Sequence, residues 1–472
     1  MPVSILERIP LLTTQSSTLN DPFVLGPFDQ LAGFVPIQVV WLYEACETKE
    51  ILSTSRLKRA LDLLLSYYPQ LAGRVHIDAK TGVRKIADFS AGAELVLAAC
   101  NERLDAFDAP SPGRIMALPG TGNDLLPPFD PNPTKCTTQP ILAVQHTKFA
   151  CGAVALGIRG AHCICDGDGY FQLVRDLAQL YRGLATSDAQ MLANPPCIQP
   201  YLAELVGAEA SDDSLAYNPS LFHTNPTTFD YSPPPYPPVG KFMRFTRQQL
   251  VELKARATEP GGSGWVSTFE ALAAHLYRRV YRARLKLHAR EPTLGPVSPP
   301  DFLSPVNTRA RLGLSHYFPN ALLTSVLTVD ATGPEITRIG LLDGPLWKTA
   351  KAIHELYRIP AVTSPADITS TLHWTAHQPD MRAIQSTFRF GSGSFMISAW
   401  KKLDYLRLEF DEGHFPVLAC PPFTTSSTVD GLAYTLPAER GAAGGRFGRE
   451  YGVGGTFVVD IRGDGRPLGE YI

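Results

Sequence analysis

The chain has 472 residues, too many for one ordinary domain and enough for two of similar size. Hydrophobic residues make up 44% and charged residues 19%, a balance that excludes a disordered chain. The 43 basic and 45 acidic side chains nearly cancel, which argues against a dedicated nucleic-acid binder and still allows a local basic patch for an anionic ligand.

Met1–Ser17 carries Glu7 and Arg8 inside its short apolar stretches and has no signal-peptide core. No run approaches the ~20 apolar residues of a membrane span. Cys46, Cys100, Cys136, Cys151, Cys163, Cys165, Cys197 and Cys420 are scattered without a C-x-x-C pair, so neither a disulfide framework nor a zinc ribbon is expected. Free thiols fit a reducing compartment. The expectation is a cytoplasmic protein with no membrane span.

Residues 35–45 form a Val- and Ile-rich run that predicts a buried strand. Over Ile51–Tyr67, Leu57, Ala60, Leu61, Leu64 and Leu65 recur at helical spacing; Thr54 or Ser55 can cap the helix and Pro69 stops it. Strands are expected at Ile141–Thr147 and Gly152–Ile158, and an amphipathic helix at Phe171–Tyr181. An irregular stretch over 183–240 ends in the Pro-rich run Tyr231–Pro238, stiff and extended, which reads as a linker rather than an SH3-type ligand. We therefore expect an N-terminal domain over 1–200, a crossover linker over 201–240 and a C-terminal domain over 241–472.

The second half opens with a strand at Lys241–Phe245. Ser267 and Glu270 then form a capping box at the start of a helix through Leu272, Leu276 and Val280. Further strands are expected at Ala321–Val329, Ser394–Trp400, Val417–Cys420 and Thr456–Ile461. The Gly- and Arg-rich Arg440–Gly455 reads as a mobile surface loop. Helix and strand alternate in both halves, so the class is α/β or α+β.

Chemistry concentrates in GAHCICDGDGY, residues 160–170, where His162, Asp166 and Gly167 spell H-x-x-x-D-G between a strand and a helix. A rigid scaffold commonly displays a reactive side chain at such a turn. Histidine titrates near neutral pH and suits a general base. A nearby carboxylate can shape the loop and fix the ring, and a glycine permits close approach. Alone, the spacing is common enough by chance to decide nothing.

Neighbouring segments make the pattern specific. Tyr68–Arg74 reads YPQLAGR, Ser267–Arg284 reads STFEALAAHLYRRVYRAR, Asn307–Arg311 reads NTRAR, Tyr317–Asn320 reads YFPN and Ser398–Trp400 reads SAW. Taken in order with Pro140–Gly152 and the His162 motif, these segments resemble the BAHD acyltransferases. The chain is more similar to fungal members, the trichothecene acetyltransferases among them, than to plant hydroxycinnamoyltransferases. Three departures stand out: Asn307 replaces the acid before R-x-R, Pro319 replaces a glycine, and Glu409–Gly413 (EFDEG) replaces D-F-G-W-G.

The resemblance implies an α/β fold of two similar-sized, chloramphenicol-acetyltransferase-like domains, with mixed sheets flanked by helices and a channel between them. It implies an acyl-CoA cosubstrate, acetyl-CoA foremost, no bound cofactor, no metal and a monomer. The reaction would be O-acetylation of a hydroxylated specialised metabolite. N-acylation, a larger acyl donor, and a condensation-like or non-catalytic binding protein are the alternatives. His162 would be the base, Trp400 with Ser398 the oxyanion donors, Gly167 substrate support, and Asp166 a loop organiser paired with an unassigned arginine. Arg309 and Arg311 would be structural, one of them paired with Glu409; binding of CoA phosphates is their other reading.

Other readings stay bland. Asp168 is most simply a solvated loop residue. Cys163 or Cys165 could form an acyl-enzyme, although ordinary buried cysteine suffices. His373 and His377 make H-x-x-x-H with no third ligand, which does not suit zinc. His275 lies inside the second-half helix and reads as packed or capping.

Overall fold

The computed structural model describes residues 2–437, apart from 13–18, 20–21, 108–117, 121, 131–134, 136, 187–190, 210–215, 226–237, 263, 330–337, 404 and 425–426, together with the backbone of 451–457. Most of the Pro-rich run lies outside the described residues.

Two six-stranded mixed sheets organise the molecule. The first contains β1 (Val3–Leu11), β2 (Pro36–Tyr43), β3 (Ala93–Cys100), β4 (Leu142–Phe149), β5 (Val154–Ala161) and β10 (Leu418–Cys420), in the order β1-β3-β4-β5-β2-β10. Its β3–β4 pair is parallel and the other pairs are antiparallel. The second contains β6 (Val239–Phe245), β7 (Phe302–Asn307), β8 (Leu322–Leu327), β9 (Phe395–Ala399), β11 (Leu432–Pro437) and β12 (Tyr451–Phe457), in the order β6-β12-β11-β9-β7-β8. Here β9 runs parallel to both of its neighbours.

The apolar patterns build these layers. In β2 the unbroken run Val39–Tyr43 is buried on both faces, as expected of a strand covered by helices. Helix α2 (Thr54–Tyr67) buries the five predicted positions from Leu57 to Leu65. Ser53, rather than Thr54 or Ser55, occupies its N-cap. Helix α3 (Gly167–Gly183) begins four residues before the predicted helix, because Asp166 caps it by accepting from Gly169 N at 3.1 Å. Helix α4 (Arg247–Arg256) follows β6. Helix α5 (Thr268–Arg290) starts at the Ser267–Glu270 capping box, both halves of which form.

One strand crosses between the halves. β10 lies beyond residue 400 in sequence, yet Leu418–Cys420 pair with Val40–Leu42 at the edge of the first sheet. Trp400, Leu406, Leu408 and Phe410 enter the core of the N-terminal half with it. A contiguous division of the chain does not contain this excursion.

The predicted loop over Arg440–Gly455 needs correcting. Its last residues, Tyr451–Gly455, are strand, because β12 pairs with both β6 and β11; 440–450 lie outside the described residues. The strand expected at Thr456–Ile461 accordingly starts earlier. Among the described residues no helix is long and apolar enough to cross a membrane.

Candidate active site

His162 directly follows β5. Its N–H donates to Val35 O at 3.0 Å, an extension of the β2–β5 ladder. Its carbonyl accepts from Asn320 Nδ2 at 3.0 Å. The backbone is thus held from both halves of the chain. The described residues make no hydrogen bond to the imidazole, and Nδ1 is buried without a partner. The ring lines a cavity of about 1080 Å³ together with Gly167, Asp168, Asn320, Ser398, Trp400 and Tyr434.

Asp166 does not orient that ring. Its carboxylate is fully buried and filled: Oδ1 accepts from Gly169 N and from Arg309 Nη2 at 2.9 Å, and Oδ2 accepts from Arg309 Nη1 and from Ala321 N, each at 2.8 Å. The partner that sequence could not choose is therefore Arg309, in a bidentate pair. Burial pulls the Arg309 guanidinium down, but the Asp166 charge and hydrogen bonds outweigh it and hold the group above its ordinary range. Arg309 also donates to Tyr317 O at 3.0 Å and to Pro319 O at 2.7 Å, so one side chain ties the C-terminal loop to the His162 loop.

The expected pairing of Glu409 with Arg309 or Arg311 does not form. Arg309 is committed to Asp166, and Arg311 Nη1 donates to Asn307 O at 2.8 Å. The Glu409 carboxylate accepts from Gly413 N, and its main-chain carbonyl from Arg182. The buried acid of this stretch is Asp411, which accepts from Leu52 N at 2.7 Å and Arg56 Nη1 at 3.2 Å, with Tyr181 Oη at 3.4 Å. Its partners come from the N-terminal half, to which the excursion carries it.

Asp168 is also not a solvated loop residue. It lies in the first turn of α3, lines the cavity and is pushed up by burial and by Asp166, against Arg309 and a hydrogen bond with Asn307. Cys163 and Cys165 are buried, and neither lines the His162 cavity. Burial, with Asp166 and Asp29, raises the Cys165 thiol far above its ordinary range, which disfavours a thiolate. His377 Nδ1 meets His373 O at 2.7 Å on and just beyond helix Pro365–Ala376. His275 is held down to about 4 by burial, with Arg279, Arg256 and Arg278 adding to it.

Trp400 and Ser398 come to the cavity on and just after β9. The Trp400 indole is buried between Phe171 of α3, at 5.7 Å, and Tyr434 of β11, at 4.7 Å between ring centroids. Three residues went unremarked as site builders in the sequence. Gly169 is pressed against Phe318, Asn320 grips His162, and Asp29 grips Asn320. Asn320 had a signal in YFPN; Asp29 had none.

The family model described as "Transferase family" matches residues 2–445. Shikimate O-hydroxycinnamoyltransferase of Nicotiana tabacum is 26% identical over 310 residues, 63% of each chain, so the match spans less than two thirds of that relative. A hydroxycinnamoyl-CoA:5-hydroxyanthranilate N-hydroxycinnamoyltransferase of Avena sativa is 25% identical over 399 residues, 81% of this chain and 80% of the relative. Among solved structures, vinorine synthase superposes with a TM-score of 0.67 at 17% identity, covering 97% of this chain and 95% of its own. TRI101 of F. graminearum, solved with coenzyme A and T-2 mycotoxin, superposes with a TM-score of 0.68 at 18% identity, covering 92% and 95%. At these identities the structural likeness shows the two-domain mixed α/β fold.

Proposed function

Since the chain belongs to the transferase family of BAHD acyltransferases, we propose that it moves an acyl group from acyl-CoA to a hydroxyl of a small molecule, with His162 as general base. One observation carries this reading. The His162 backbone is fixed from two sides while its ring, free of any described partner, lines a large cavity. A base must be positioned yet unoccupied, and His162 satisfies both conditions.

In the proposed reaction His162 takes the proton of the acceptor hydroxyl as its oxygen attacks the thioester carbonyl. The new C–O bond forms and the carbonyl π electrons move onto oxygen. The Trp400 N–H and the Ser398 hydroxyl are the proposed donors to that oxyanion. Collapse restores the carbonyl and breaks the C–S bond, and the proton on His162 passes to the thiolate. Asp166 takes no part in proton transfer, because its lone pairs are occupied by four donors. Arg309 and Gly167 act in support, Arg309 through Asp166 and Gly167 as a small residue of the cavity wall.

An acetyl donor and a hydroxyl acceptor remain the first choice. A larger acyl group is favoured by one observation, the volume of about 1080 Å³ with Phe28, Phe222, Phe388 and Phe390 in its wall. This is at the upper end of small-molecule sites and has aromatic surface for an aromatic acyl chain. The hydroxycinnamoyl relatives accord with it. The proposed setting is a cytoplasmic monomer; all the described cysteines are free thiols, as a reducing compartment allows.

The test is thiol release from acetyl-CoA and from an aromatic acyl-CoA, with a panel of alcohols and amines, for wild type and His162→Ala. Acceptor-dependent release is expected, reduced by about 10²–10⁴-fold in the variant, the range for a lost general base. Equal release by both proteins would reject His162 as the base. The donor with the larger kcat/KM decides between the two acyl readings.

A further inference from the structure

Asp29 lies in α1 (Pro27–Leu31), far in sequence from the His162 motif, and is fully buried. Its Oδ2 accepts from Gly26 N at 3.1 Å. Its Oδ1 accepts twice from one residue, from Asn320 N at 2.9 Å and Asn320 Nδ2 at 2.8 Å. The same Asn320 Nδ2 donates to His162 O. The next residue, Ala321, gives its N–H to Asp166. Two buried acids from the N-terminal half thus grip consecutive amides of one C-terminal loop, and that loop holds the proposed base by its carbonyl.

We infer that Asp29 is a positioning residue for His162, setting the imidazole in the channel by orienting the Asn320 side chain. The inference rests on the reading of His162 as the base. Capping of α1 does not account for the arrangement. A cap uses the Gly26 contact alone, and a helix of five residues gains little from a fully buried charge. The carboxylate is needed because its two oxygens face donors only. An amide at this place would keep one acceptor oxygen and turn an NH₂ against an N–H at either Gly26 or Asn320.

The charges around Asp29 make the clamp sensitive to protons. Asp166 is cancelled by Arg309, whereas among the described residues no cation pairs with the Asp29 carboxylate. Tyr317 and Cys165 face it as neutral groups, Asp166 faces it as a like charge, and Arg84 donates to its main-chain carbonyl at 3.0 Å. Burial pushes the Asp29 carboxyl up to about 7, against the three N–H donors that lower it. Protonation adds a fourth hydrogen where no acceptor waits, and the grip on Asn320 loosens. Acidification therefore loosens the hold on His162 by neutralising Asp29.

The experiment compares wild type, Asp29→Asn, Asn320→Ala and His162→Ala, using the donor and acceptor found active above. In Asp29→Asn and Asn320→Ala, kcat is expected to fall about ten- to a hundred-fold, as for a base displaced by a fraction of an ångström. In Asp29→Asn, KM for both substrates should stay within about two-fold, because Asp29 does not line the cavity. The acid limb of log(kcat/KM) against pH should be shallower by about one in Asp29→Asn than in wild type, because the variant lacks the Asp29 proton. A residue that merely stabilises the fold would move neither the kcat–KM split nor the slope. Asn320→Ala keeps the Asp29 charge and its backbone contacts, so it stands in should Asp29→Asn fail to fold. Wild-type kcat in a folded Asp29→Asn or Asn320→Ala overturns the inference. Should His162→Ala remain active, the reading of the base fails instead, whatever the other variants do.

Discussion

A Cβ built on Gly169 would stand 1.9 Å from Phe318 O and 3.1 Å from Cys165 Cβ, whereas one on Gly167 meets Leu403 Cδ1 at 3.6 Å, an ordinary contact. The close approach foreseen for Gly167 is thus real but belongs to Gly169, two residues beyond the motif. Gly169→Ala should cost more than about 3 kcal/mol, since backbone cannot yield as a side chain can. Gly167→Ala, in the first turn of α3, should stay within about 1 kcal/mol. Chemical denaturation of the two variants checks both. The Asp166–Arg309 pair behaves differently again. Its carboxylate is sealed and Arg309 is nearly so, with side-chain exposures of 0% and 12%, so solvent does little to screen the pair. Arg309→Met leaves Asp166 charged and buried, at a cost of about 3–5 kcal/mol. Adding Asp166→Asn should recover part of that loss, and a double-mutant cycle read by thermal unfolding measures the coupling.

At the scale of elements, the strong local signals lay where the chain satisfies its own hydrogen bonds. The capping box at Ser267 and Glu270 and the apolar stripe of α2 are written within four and nine residues of sequence, and both form as expected. The EFDEG stretch shows the opposite case. Alignment of its first acid with the family pattern pointed to Glu409, whereas the buried acid is Asp411, bonded to Leu52 N and Arg56 across 355 residues or more. Local patterning could not choose between the two acids, because both flank Phe410 and the choice depends on which faces the end of α2. Asp411→Asn should destabilise by about 1.5–3 kcal/mol, the worth of hydrogen bonds to a charged group. Glu409→Gln, whose described side-chain contact is local, should change stability by less than about 1 kcal/mol. A urea midpoint for each variant tests the assignment.

For the whole molecule, the excursion through β10 makes the halves interdependent. Residues 1–240 alone would lack Leu418–Cys420 on the β2 edge and would expose the faces that Leu406, Leu408 and Phe410 cover. Such an edge invites pairing with another chain. The fragment is expected to aggregate or remain expanded, and the full chain to unfold in one coupled transition. Size-exclusion chromatography of the fragment and calorimetry of the full chain test this. A folded, monodisperse fragment would show that the first half has a self-sufficient core.

The amino-acid sequence by itself determined the strands and helices with strong periodicity, the placing of His162 between a strand and a helix, and the family pattern that makes such a histidine a candidate base. Those features depend on neighbours a few residues apart, or on motifs preserved as strings. Tertiary structure alone decided that Asp166 pairs with Arg309, that Asp411 rather than Glu409 is the buried acid, that Gly169 is the tight glycine, and that Asp29 reaches the His162 loop through Asn320. Each of these is a contact between segments 143 to 359 residues apart, that of Gly169 with Phe318 included. Burial and hydrogen-bond direction at such contacts are properties of the packed interface between the halves, and no local pattern encodes them.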